Sequence, residues 1–113
     1  MIKPERRLSN DKQVERVLQK GASASGSFFR VKALKNPRLK ISSRVAVIVG
    51  KKVSNKATCR NRIKRRAKAV FIKESAKIEG YDLAVFPNKN TKDADFDKLT
   101  SDARQCLRKL VSF

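Results

Sequence analysis

Arg44-Val45-Ala46-Val47-Ile48-Val49 is followed at once by Gly50-Lys51-Lys52-Val53-Ser54-Asn55-Lys56-Ala57-Thr58, and then by Cys59-Arg60-Asn61-Arg62-Ile63-Lys64-Arg65-Arg66-Ala67-Lys68. The first block is short and almost wholly apolar, as expected of a central strand buried on both faces. The second is a basic loop. From the third onward, Ile63, Ala67, Val70, Phe71 and Ile78 recur at the 3.6-residue spacing of one helix face, while Arg62, Lys64, Arg65, Arg66 and Lys68 cover the rest. Gly80 closes that helix, and Tyr81-Asp82-Leu83-Ala84-Val85-Phe86 reads as a further strand before a Pro87-Asn88 turn. A strand, a crossing helix and another strand in this order indicate an α+β fold.

Residues 1–8 form a basic arm without periodicity. Ser9 reads as a helix N-cap, with Leu8 as a hydrophobic staple and Asp11 in the first turn. Val14, Val17 and Leu18 make one apolar stripe, and Lys20 with Gly21 ends a helix of about residues 10–20. Ala22 to Ser27 is a loop or a short edge strand. Phe28 to Leu34 alternates, with Phe29, Val31 and Ala33 on one face and Arg30 and Lys32 on the other. Asn36-Pro37 marks a turn. A last helix over about 95–110 carries Phe96, Leu99, Ala103, Cys106, Leu107 and Leu110 on its expected buried face. The order α-β-β-β-α-β-α predicts a single-domain sandwich over residues 1–113, a mixed sheet of about four strands packed with three helices.

Charge narrows the function. The chain carries 29 Lys and Arg against 10 Asp and Glu, a net charge of +19. From Arg16 to Lys73 there is no acid at all, but there are 18 cations. Charge of one sign at that density opposes folding unless a polyanion neutralises it, and a phosphate backbone is the simplest candidate. At 40% apolar content with clear periodicity, the chain reads as folded rather than as a disordered basic tail. No apolar run reaches membrane-span length and the N-terminus lacks a signal-peptide core, so a cytoplasmic protein without membrane contact is expected.

The catalytic inventory is thin. There is no His, and Cys59 and Cys106 form no CxxC pair, so neither a zinc finger nor a disulfide framework is expected. Asp93-Ala94-Asp95-Phe96-Asp97 opens like a calcium loop, but Lys98 and Arg104 stand where glycine and the bidentate glutamate are needed. These acids are better suited to the start of the last helix. No metal or cofactor is expected in the chain.

The basic helix is the strongest signal. Arg60–Lys64, Arg62–Arg66 and Lys64–Lys68 are like-charge i,i+4 pairs with no interleaved acid, unlike an ordinary solvated face. Lys51, Lys52, Lys56, Arg60, Arg62, Lys64, Arg65, Arg66 and Lys68 are therefore candidate phosphate ligands, Arg being suited to bidentate contacts. Asn61 is suited equally to a sugar hydroxyl, a base edge or capping of the loop. Arg30 and Lys32 form a second cationic surface beside the first helix, with Val14 and Leu18 along its edge. Phe28 shares their parity and is either a stacking ring or core.

The run Gly50 to Arg65 resembles the signature of the bacterial ribonuclease P protein subunit, which has Lys-Lys, a basic loop and an Arg-Asn-Arg-x-Lys-Arg helix start. The resemblance extends to Arg6-Arg7-Leu8, Arg16-Val17-Leu18-Gln19-Lys20-Gly21, Phe28-Phe29 and Gly80-Tyr81-Asp82. It implies a non-catalytic subunit of an endoribonuclease whose RNA, with magnesium, removes the 5′ leader of precursor tRNA. The implied partners are that catalytic RNA and the precursor, with no protein partner. Arg60, Asn61, Arg62, Lys64 and Arg65 would bind RNA, together with Lys51, Lys52, Arg66 and Lys68. The leader would lie between the first helix and the sheet, which places Arg6, Arg7, Val14, Leu18, Phe28, Arg30 and Lys32 as cleft residues. A left-handed crossover is also implied, against the usual rule. The family commonly has aromatics where this chain has Val14, Leu18 and Lys32, so a cleft acting more by charge than by stacking is expected. The alternatives are a ribosomal or other structural RNA-binding protein and a self-sufficient nuclease.

Overall fold

The computed structural model describes residues 11–36 and 43–110. Its elements are α1 (Asp11–Lys20), β1 (Ala22–Ser25), β2 (Phe29–Lys35), β3 (Arg44–Val47), α2 (Ala57–Glu74), β4 (Tyr81–Pro87) and α3 (Phe96–Leu110), with 3₁₀ turns at Ser75–Lys77 and Lys89–Lys92. This is the expected order, and residues 22–25 resolve as an edge strand. The basic arm with Arg6 and Arg7, the Leu8 staple, the Ser9 cap and Pro37 lie outside the described residues.

The sheet runs β1-β2-β4-β3. β2 is antiparallel to β1 and β4, whereas β3 is parallel to β4. A parallel neighbour requires a crossover, and α2 supplies it. Because β4 returns between β2 and β3, the central strand is β4: Leu83, Ala84 and Val85 are fully buried. The expectation that residues 44–49 form a central strand buried on both faces is therefore corrected. β3 is an edge strand of four residues, Val45 and Val47 buried and Ala46 half-buried between them. It is apolar on both sides because helices cover both faces of the sheet.

On one face Phe29, Val31, Ala33, Val45, Val47, Leu83 and Val85 meet Ala67, Val70 and Phe71 of α2 and Leu99, Ala103, Cys106 and Leu107 of α3. The rings of Phe29 and Phe71 meet edge to face at 4.8 Å. The other face is smaller. There Val17 of α1 and Ala84 are buried, flanked by half-buried Val14, Leu18, Leu34, Ala46, Ile48 and Phe86. Two further expectations change. Ile78 is buried but lies past α2, after the 3₁₀ turn. Phe96, placed on the buried face of α3 by its periodicity, is 49% exposed. It stands at the first residue of α3, where Arg66 rather than the core lies over its ring.

Two buried acids pin the layers together. Asp102 of α3 accepts the backbone N–H groups of Ser27, Phe28 and Phe29 at 2.7, 2.9 and 3.1 Å, which fixes the β1–β2 turn. A Cβ at Gly26 would lie 2.3 Å from Asp102 Oδ1, so the carboxylate's approach depends on that glycine. Asp82 of β4 receives Arg44 bidentately at 2.8 and 3.0 Å, and Arg44 Nη1 reaches Gln13 of α1 at 3.2 Å. Gly80, at φ 78, turns the chain into β4.

The Cys106 thiol is pushed up to about 11, chiefly by burial, with the Asp102 charge adding to it and Lys109 opposing. The unfolded thiol ionises near 9.0, so between these values the unfolded chain sheds a proton that the folded one keeps. Its contribution is complete below pH 9 and is lost as pH rises toward 11. Urea melts across this range should show wild type losing roughly 1.4 kcal/mol per pH unit more than Cys106→Ala. Parallel slopes would contradict the assignment.

Candidate nucleic-acid interface

α2 begins with almost none of the usual N-terminal support. Lys56 occupies the cap position without a side-chain cap bond, and the first turn contains no acid. The positive end of the helix dipole thus adds to the side-chain cations rather than being offset. The preceding loop is organised by its own backbone: Val53 N–H donates to Gly50 O at 3.1 Å, and Arg60 Nη1 donates to Ser54 O at 2.9 Å. Arg60 therefore holds the loop that presents Lys51, Lys52 and Lys56, all three of them exposed. An anion at this end should relieve the repulsion. Sulfate or phosphate is expected to raise the melting temperature beyond the effect of chloride at equal ionic strength, and equal melts in the two salts would contradict this.

The cations of α2 divide by helical phase. Asn61, Lys64, Arg65 and Lys68 fall within an arc of roughly 100°, turned away from buried Ile63, Ala67 and Val70. With Thr58 they line one open depression of about 540 Å³. Asn61 thus stands among the outer cations, and the loop is capped by Arg60 instead. The ion pairs Arg44–Asp82 and Arg104–Glu74 lie off this face.

Arg62 and Arg66 occupy a different flank. Arg62 Nε donates to Lys92 O at 3.2 Å; Arg66 Nε donates to Thr91 O at 3.0 Å, and its Nη2 donates to Ala94 O. Both tie α2 to the segment leading into α3, a role that charge counting could not reveal. Among the described residues, no three His, Cys, Asp or Glu side chains converge as metal ligands. Asp97 sits in the first turn of α3, and Asp95 O accepts the Leu99 N–H at 3.1 Å.

On the opposite face of the sheet, half-buried Val14 and Leu18 of α1 pack beside Val17 and Ala84. Arg30 projects there, its guanidinium carbon 4.9 Å from the centroid of Phe86, its partner across the β2–β4 ladder. Lys32 is not simply a free cleft cation: its Nζ donates to Leu18 O at 2.8 Å, closing the C-terminal turn of α1. Phe28 does not belong to this surface. It precedes β2, so strand parity does not govern it, and it packs half-buried against the main core. The ring on the Arg30 face is Phe86. Alternation along Tyr81 to Phe86 puts Asp82, Ala84 and Phe86 opposite Leu83 and Val85, a signal legible in the sequence once the strand is divided by face. No helix among the described residues is long and apolar enough to cross a membrane.

The family model described as Ribonuclease P matches residues 2–111. The ribonuclease P protein component of Helicobacter acinonychis is 34% identical over 109 residues, covering 83% of this chain and 71% of that protein. Its counterpart from Bacillus pumilus is 29% identical, covering 96% and 90%. Among solved structures, the RNase P protein of Staphylococcus aureus superposes with a TM-score of 0.77 at 24% identity, over 92% of this chain and 94% of that one. The RNase P protein from Thermotoga maritima gives 0.73 at 28% identity, with the same coverage. With a family model spanning nearly the whole chain and an architecture shared with these proteins, the chain belongs to the ribonuclease P protein family.

Proposed function

We propose that this chain is the RNA-binding subunit of a cytoplasmic ribonuclease P, docking the catalytic RNA on the outer face of α2 and the single-stranded 5′ leader of precursor tRNA in the cleft between α1 and the sheet. The observation that carries this is the acid-free face formed by Asn61, Lys64, Arg65 and Lys68 at the uncapped, electropositive start of α2. The cations there displace counterions condensed on the RNA phosphates and lower the repulsion between two RNAs brought together. Lys51, Lys52 and Lys56 extend the same field along the loop. In the cleft, Arg30 meets leader phosphates and Phe86 offers a ring to a base, while Val14 and Leu18 form the wall.

In this reading bond breaking belongs to the RNA, with magnesium supplied on the RNA side, and this chain positions and neutralises. Family membership favours this reading over a structural role on ribosomal RNA. The test is reconstitution with a bacterial ribonuclease P RNA and precursor tRNA at low magnesium. Leader removal should be strongly stimulated by the protein, and cleavage unchanged by its addition would overturn the proposal. Cleavage by the protein without RNA would move the chemistry to this chain.

A further inference from the structure

Phe96 is the one large hydrophobic side chain exposed among the described residues. Asp95 and Asp97 flank it in the chain, but the side chains that share its depression are arginines. Arg62, Arg65, Arg66 and Phe96 line a separate open depression of about 240 Å³. The Arg66 guanidinium carbon stands 4.5 Å from the Phe96 ring centroid. That guanidinium is held by Thr91 O and Ala94 O, so the stacked pair is ordered before any ligand arrives. Arg62 is steadied through Nε on Lys92 O, and a guanidinium has further N–H donors to offer. Arg65 also lines the larger depression with Asn61, Lys64 and Lys68, so a backbone following the outer face of α2 runs directly past the ring.

We infer that Phe96 is a base-stacking platform: one nucleobase of the docked RNA leaves its stack and lies against the Phe96–Arg66 pair while Arg62 and Arg65 take the flanking phosphates. An apolar protein surface would cover the ring only by desolvating three guanidinium groups. A nucleotide satisfies both at once, a flat ring for Phe96 and anionic oxygens for the arginines. A nucleic acid is therefore the occupant this chemistry selects. The inference rests on α2 docking the catalytic RNA and adds a contact from α3.

The experiment measures binding of a labelled bacterial ribonuclease P RNA to the full chain, comparing wild type, Phe96→Leu and Phe96→Tyr, with thermal melts of each. Losing one stacked base weakens affinity on the order of 5- to 150-fold. Phe96→Leu should show such a loss with the slope of log affinity against log salt unchanged, because no phosphate ligand is removed, and Phe96→Tyr should restore binding. Leu binding as tightly as wild type, or a loss that Tyr shares, would overturn the platform. Should wild type itself fail to bind this RNA, the docking reading fails first, and the two failures are thereby told apart.

Discussion

Asp102→Ala is expected to cost about 3–5 kcal/mol of folding stability, the largest effect of any single substitution on the α3 side of the sheet. The carboxylate accepts three successive backbone N–H groups of the β1–β2 turn and is itself 6% exposed. Removing it leaves those donors without their anion in a place water reaches poorly. Against a typical stability of roughly 5–15 kcal/mol, the loss is enough to unfold much of the protein at moderate temperature. Asp102→Asn should fall between, since an amide keeps one acceptor oxygen but loses the charge. Gly26→Ala should act on the same contact, because its Cβ would collide with Asp102 Oδ1. In combination with Asp102→Ala it should therefore add much less than its own separate cost. Urea titration of the three single variants and the double variant decides the matter, and a loss under about 1 kcal/mol for Asp102→Ala would show that the turn holds without it.

Lys64→Ala combined with Arg65→Ala is expected to have the largest effect on RNA affinity while sparing the fold. Both residues line the outer depression and stand away from the buried stripe of α2. Removing two phosphate ligands should make the slope of log affinity against log salt shallower by about 2. It should also leave the melting temperature the same or higher, since like-charge repulsion along the helix falls. Arg62→Ala and Arg66→Ala make poorer tests, because each also breaks a bond to the segment before α3. A double variant with wild-type affinity and slope would remove this face as the docking surface.

Much of this architecture was legible in residue spacing. The stripe Ile63, Ala67, Val70, Phe71 and the alternation of Phe29, Val31 and Ala33 each translate directly into a buried face. Strand position was not, since an apolar run such as Arg44 to Val49 reads alike whether it is central or an edge covered by helices on both sides. Phe28 defeated a parity argument because its N–H belongs to the Asp102 turn rather than to the ladder. Phe96 fits its helical stripe, yet the first turn of α3 lies beyond the core and beside Arg66. The cations were all visible as charge. That Lys32, Arg60, Arg62 and Arg66 spend donors on particular carbonyls depends on tertiary contacts that no local pattern encodes. The site thereby sharpened from a list of basic residues to an outer quartet and a set of structural staples.

In the proposed function, phosphate neutralisation by the acid-free face of α2 and its loop drives RNA docking. Its most direct test is the affinity of the full chain for a bacterial ribonuclease P RNA at constant magnesium while monovalent salt rises from about 50 to about 200 mM. With six or more phosphate contacts, affinity should fall by roughly a thousandfold or more across that range. An affinity that changes little between the two salt concentrations would contradict the account.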